Sequence, residues 1–154
     1  MVTPRREQRQ AIILAVGLPG SGKSTYFRKR GIQPLSSDTL RGWLLDDETD
    51  QSQQHRVFAA LRHLLEIRLR LGLKKNYVDA TNLTRKDRFP YVQLAERYNC
   101  VLHAIVFEIP LATCIRRNRR RRRCVPEEVI EQMARKMSPP TRLEGFSKVI
   151  WVRE

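Results

Sequence analysis

The sequence predicts an α/β fold in which about five strands form a central parallel sheet with helices on both faces. Three observations carry this. Short apolar runs alternate with amphipathic stretches along the 154 residues, the pattern of right-handed strand–helix–strand units. The clearest run, Ala11 to Val16, stops at a glycine and is continuously apolar, as in a strand buried on both faces. The polar residues that follow successive strands, Gly17, Asp38 and Asp79, fall where such sheets bind ligands, outside the carboxyl ends of the strands.

The elements follow in order. After the first strand a helix is expected from Gly22 to about Arg30, ended by Gly31. Ile32 to Leu35 reads as a short second strand leading into Ser36-Ser37-Asp38. A polar loop spans 46 to 50, and Val57, Phe58, Leu61, Leu64, Leu65 and Leu69 then keep helical spacing as far as Gly72. Lys75 to Asp79 is the third strand. Thr84 with Asp87 three residues on marks a helix start, with Pro90 expected to delay or kink it. Cys100 to Phe107 is the fourth strand, and Leu111 to about Arg122 the next helix. Val125-Pro126-Glu127-Glu128 opens another, stopped by Pro139-Pro140, and Lys148 to Val152 is the last strand. Residues 1–10 are expected to form a flexible basic segment and 11–154 a single domain.

With 41% hydrophobic and 30% charged residues the chain has the composition of a folded globular protein rather than a disordered one. Its longest apolar run is far short of the roughly 20 residues a membrane span needs, and no export signal is apparent, so a cytoplasmic protein is expected. Cys100, Cys114 and Cys124 match no zinc or redox spacing and are expected to be reduced structural thiols. His55, His63 and His103 form no cluster. Thirty Lys and Arg against 16 Asp and Glu give a net charge of +14, and residues 116–123 contribute seven arginines with no acid between them. Such a chain attracts polyanions.

Gly17-Leu18-Pro19-Gly20-Ser21-Gly22-Lys23-Ser24 matches the phosphate-binding pattern G-x-x-x-x-G-K-[ST] between a strand and a helix. Glycines let consecutive backbone N–H groups turn toward a phosphate. Lys23 is expected to reach the β- and γ-phosphates of ATP, and the Ser24 hydroxyl to ligate Mg²⁺. The fold is therefore a P-loop NTPase fold. A GTPase would need an Asn-Lys-x-Asp-like guanine reader late in the chain, and none is present; a motor would be longer. Kinase is the leading class. Such an enzyme needs a carboxylate beside the acceptor hydroxyl. Asp38 is the candidate, with helix capping as its competing structural role, and Arg41 one helical turn on is placed to grip an anionic acceptor. Asp79 stands in a Walker B-like position, suited to orient a Mg²⁺-bound water or Lys23. Thr81 and Asn82 are read equally as ligand contacts or loop-shaping groups, and Trp43 as a core residue before a stacking one.

The chain resembles the small P-loop polynucleotide 5′-hydroxyl kinases, represented by bacteriophage polynucleotide kinase and the kinase modules of bacterial and animal end-healing enzymes. The likeness runs through residues 17–25, Ser-Ser-Asp-Thr-Leu-Arg (36–41), Asp-Ala-Thr-Asn-Leu (79–83) and Arg-Asn-x-x-Arg followed by Val-Pro-Glu-Glu-Val-Ile (117–130). It implies an adenylate-kinase-like three-layer fold with a helical lid at about 111–124. It also implies transfer of the ATP γ-phosphate to the 5′-OH end of RNA or DNA. Gly20, Ser21, Gly22, Lys23, Ser24 and Thr25 would hold the donor, Asp38 would be the base and Arg41 would bind the acceptor phosphate. Lid arginines would clamp the donor. Helical phase puts Arg116, Arg120 and Arg123 on one face, and these are the expected phosphate contacts, Arg120 as a catalytic one. A phosphatase or ligase step would come from a separate chain. The alternatives are a small-metabolite kinase on the same scaffold and a nucleic-acid-binding ATPase without phosphoryl transfer.

Overall fold

The computed structural model describes residues 8–154, so most of the expected N-terminal segment lies outside the described residues. Five parallel strands form one sheet in the order β2-β3-β1-β4-β5. They are β1 (Ala11–Val16), β2 (Leu35–Ser36), β3 (Lys75–Asp79), β4 (Val101–Glu108) and β5 (Lys148–Arg153). β1 lies at the centre, pairing Ala11 with Lys75 on one side and with Val101 on the other.

Alternation along β1 divides the core. Ile12, Leu14 and Val16 face a cluster built with α3 (Gln54–Arg70) and α4 (Arg85–Arg97), which supply Val57, Leu61, Leu65, Tyr91 and Leu94; α2 (Ser37–Leu45) adds Leu40. Ala11, Ile13 and Ala15 face Phe27 of α1 (Lys23–Lys29) and Phe107. Helices thus cover both faces of a P-loop NTPase sheet. A third cluster joins Leu18 and Leu83 to α5 (Leu111–Arg119) and α6 (Glu127–Lys136) through Cys114 and Ile130. It seats these two helices beside the loop that follows β1.

Several boundaries differ from the expected ones. The second strand is only Leu35–Ser36, because Gln33 and Pro34 hold the chain out of the sheet. α4 neither starts late nor waits for Pro90. Thr84 and Asp87 form a reciprocal capping box, and Pro90 lies inside the continuous helix, where the carbonyl it leaves unpaired belongs to the exposed Lys86. α5 ends at Arg119 rather than near Arg122. Among the described residues no helix is long and apolar enough to cross a membrane.

Candidate active site

The loop from Gly17 to Gly22 turns at Gly20 (φ +81) and Gly22 (φ +94), a backbone conformation that residues with a Cβ adopt at a cost. Gly20 also has no room for one: a Cβ there would stand 2.4 Å from the Cys114 carbonyl oxygen of α5. The Lys23 side chain is buried and folds back into the loop, its Nζ donating to the carbonyls of Gly17 (2.9 Å) and Leu18 (2.8 Å). Burial lowers its pKa to about 8, with Arg121 adding to the effect and Asp79 and Asp38 opposing it. The Ser24 hydroxyl donates to Asp79 Oδ2 at 2.8 Å. Burial pushes the Asp79 carboxyl above its ordinary value, against the charge of Lys23 and the Ser24 hydrogen bond.

Asp38 enters from the other side of the same cavity, which measures about 580 Å³. It is not a helix cap. Ser36 caps α2, its side chain accepting from the Thr39 N–H, and Asp38 in the first turn is left to bind arginines. Arg41 Nη1 donates to Asp38 Oδ1 at 2.7 Å, and Arg123 Nη1 donates to the same oxygen across the cavity. Among the described residues Oδ2 has no partner. Burial alone would raise the Asp38 pKa, but the bonds and charges of Arg123 and Arg41 outweigh it and hold the carboxyl below its ordinary value.

Arg41 is less free than its sequence position suggests. It is buried; Nε and Nη2 both donate to Gln54 Oε1 (3.2 and 2.7 Å), and Nη1 reaches the Glu48 carbonyl at 3.3 Å besides Asp38. Its fork ties Asp38 to α3 and the 46–53 loop, and one Nη2 N–H is left for a ligand. Gln54, which lines the cavity, therefore belongs to the site. Nothing in its sequence context marks it.

The arginine run is arranged differently from its helical phase. Because α5 stops at Arg119, residues 120–123 leave the helix and the expected register of Arg116, Arg120 and Arg123 does not continue. Arg117, Arg121 and Arg123 line the cavity; Arg116 and Arg120 are exposed and do not. Arg117 pairs with Glu154 at 3.2 Å and comes within 3.8 Å of a Cβ built on Gly22. Only the Arg123 expectation keeps its place.

The remaining expected residues divide. Gly20, Gly22, Ser24, Thr25 and Thr81 line the cavity. Ser21 does not: its side chain is buried under the loop, 3.5 Å from Lys23 Nζ, and its N–H bonds the Leu18 carbonyl. Asn82 (φ +47) shapes the loop after β3 by donating to the Ala15 carbonyl at 2.8 Å. Trp43, expected in the core, is 73% exposed on α2. Cys100 and Cys114 are buried free thiols, and Cys124 is exposed at the cavity edge.

The model of a family described as AAA domain matches residues 12–140. Transcription factor bHLH140 of Arabidopsis thaliana is 26% identical over 152 residues, which are 93% of this chain and 16% of that protein. The chain thus spans about a sixth of that relative's length. Among solved structures, a candidate kinase from Chloroflexus aurantiacus superposes with a TM-score of 0.72 at 17% identity, covering 95% of this chain and 89% of that one. Kti12 of Chaetomium thermophilum, solved with ADP-AlF3, gives 0.65 at 18% identity and covers 92% and 88%. A chain of the Pnkp1/Rnl/Hen1 complex gives 0.61 at 22% identity, covering 75% of this chain and 41% of that one. These likenesses are of fold, a P-loop kinase-like α/β domain.

Proposed function

The chain belongs to this AAA domain family, and from that footing we propose that it is an ATP-dependent kinase that phosphorylates the 5′-hydroxyl end of RNA or DNA. The observation that carries the reading is the placement of Asp38. It is a carboxylate fixed through one oxygen by two arginines, its other oxygen free of partners among the described residues, in the cavity that also holds the phosphate loop.

The roles follow from position. Gly20, Gly22, Lys23, Ser24 and Thr25 receive the triphosphate, Lys23 exchanging its loop carbonyls for phosphate oxygens. Ser24 Oγ would hold Mg²⁺, and Asp79 Oδ2, 2.8 Å from that hydroxyl, would orient a water on the ion. Bound there, Mg²⁺ supplies neutralisation of charge on the β,γ-oxygens. Asp38 Oδ2 accepts the hydroxyl proton as the acceptor oxygen bonds to the γ-phosphorus and ADP leaves. Phosphoryl transfer depends more on alignment than on base strength, so a lowered pKa is compatible with this role. α5 and the chain to residue 124 act as the lid, with Arg117, Arg121 and Arg123 facing the transferring charge. The net charge of +14 favours a polyanionic acceptor over a small neutral one.

The test incubates the full chain with Mg²⁺ and γ-labelled ATP, together with a 5′-hydroxyl oligonucleotide or a panel of small hydroxyl compounds. Labelled oligonucleotide is expected, and Asp38→Asn should lower turnover about 10²-fold or more with ATP affinity kept. Label on a small compound alone would replace this reading with a metabolite kinase. ATP hydrolysis without transfer would make the protein a nucleic-acid-binding ATPase.

A further inference from the structure

The arginine run is held in one conformation by a buried amide. Asn118 is 1% exposed; its Oδ1 accepts the Val125 N–H at 3.0 Å and its Nδ2 donates to the Val125 carbonyl at 2.7 Å. The Cys124 thiol bonds the Asn118 carbonyl at 3.1 Å. Residues 120–124 are thereby closed into a loop at the end of α5, and six of the seven arginines fall into two sets, the seventh, Arg119, pairing with Glu127. Arg117, Arg121 and Arg123 line the cavity. Arg116, Arg120 and Arg122 are exposed and line none of it, and among the described residues they have no carboxylate partner.

Arg116 lies in the last turn of α5, Arg120 is the residue that caps its C-terminus, and Arg122 lies two residues beyond. These three cations, within seven residues of sequence, carry no ion pair in the described structure. An arginine near a helix C-terminus can offset the partial negative charge there, but Arg122 lies beyond the helix. A chain of phosphates supplies the missing anion.

We propose that Arg116, Arg120 and Arg122 form a landing surface for the phosphodiester backbone of the acceptor strand, beyond its terminal nucleotide. The inference rests on the acceptor being a nucleic acid, as proposed above. The end of α5 and the loop after it then face the donor with one set of arginines and the acceptor strand with the other.

The experiment compares the full chain with the variant Arg116→Gln/Arg120→Gln/Arg122→Gln. The control is Arg85→Gln/Lys86→Gln/Arg142→Gln, which removes equal charge from exposed positions elsewhere. Binding of a 3′-labelled, 5′-hydroxyl single strand is followed by fluorescence anisotropy across a salt series, with turnover measured on that strand and on a nucleoside 3′-phosphate. The outer variant is expected to reduce the log–log salt slope by about 2, near 0.7 per lost phosphate contact. Its KM for the strand should rise at least about tenfold, with turnover on the nucleoside 3′-phosphate unchanged. An unchanged slope with a lowered melting temperature would assign the arginines to helix stability and overturn the proposal. An equal loss of slope in the control would overturn it too, as general charge. If the wild-type chain transfers no phosphate while the slope still falls, the kinase reading fails and the surface stands; transfer with an unchanged slope rejects the surface alone.

Discussion

At the scale of single residues, Lys23 carries the sharpest consequence. Burial brings its pKa down to about 8, and a bound triphosphate favours the ammonium form and raises it again. ATP affinity should therefore be level below pH 8 and fall as pH rises above it, by up to about tenfold per unit, as each binding event takes up a proton. Calorimetry at pH 8.5–9 in buffers of different ionisation enthalpy reads that uptake, and affinity constant from pH 7 to 9.5 would refute the assignment. The sign for the fold is the reverse of a stabilising ion pair. A lysine pKa below its unfolded value means that the charged form disfavours folding below pH 8, a cost that fades as pH climbs toward the ordinary value. Asp38 acts oppositely: its lowered carboxyl pKa contributes stability above the unfolded value that is lost as pH falls through the folded one.

At the scale of elements, the phosphate loop is pressed onto α5 at Gly20. Gly20→Ala should cost about tenfold or more in ATP affinity, because a methyl 2.4 Å from the Cys114 carbonyl must move the loop or the helix. Gly31, which does not line the cavity, isolates the stability cost of strain. Its φ is +66 with nothing within 4 Å, so Gly31→Ala meets backbone strain but no neighbour and should leave ATP affinity unchanged while lowering stability by about 1–3 kcal/mol. Unchanged ATP affinity in Gly20→Ala would show that the close approach to α5 does not matter there.

Elements with local signals are legible in the sequence: the apolar run of β1, the Thr84–Asp87 box, and the G-x-x-x-x-G-K-S spacing all stand in the structure. So do the acids at Asp38 and Asp79, which the order of strands brings to one sheet edge. The arginine run is not legible in this way. A clasp between Asn118 and the backbone of Val125, seven residues on, ends α5, and no periodicity registers a side chain that bonds to peptide groups. Gln54 escapes too, because its partner is a side chain distant in sequence. Its importance comes from the Arg41 fork it holds across 13 residues.

At the scale of the molecule, one buried arginine joins parts distant in sequence. Arg88 of α4 is fully buried and makes a bidentate pair with Glu144 (2.7 and 3.0 Å) in the short 3-10 turn Arg142–Glu144. Its Nη1 also donates to the Asn82 and Ser138 carbonyls at 2.9 Å, tying the loop after β3 to the chain leaving α6. Arg88→Met strands the Glu144 carboxylate and should lower unfolding free energy by about 3–5 kcal/mol in urea titrations. Adding Glu144→Leu should restore part of the loss, since the unpaired charge is then gone. A single-variant loss under about 1 kcal/mol would count against this joint.

The central place of β1 also sets a timetable for the chain's birth. Its first strand leaves the ribosome with no partner, for the neighbours that cover its two edges are Lys75–Asp79 and Val101–Glu108. At about 5–20 residues per second, the 64 residues from Ala11 to Lys75 take about 3–13 s to synthesise. Throughout that interval six consecutive apolar residues, all destined for burial, remain a bare edge. Refolding of the complete chain faces the same long loop closures and should be slow for its size.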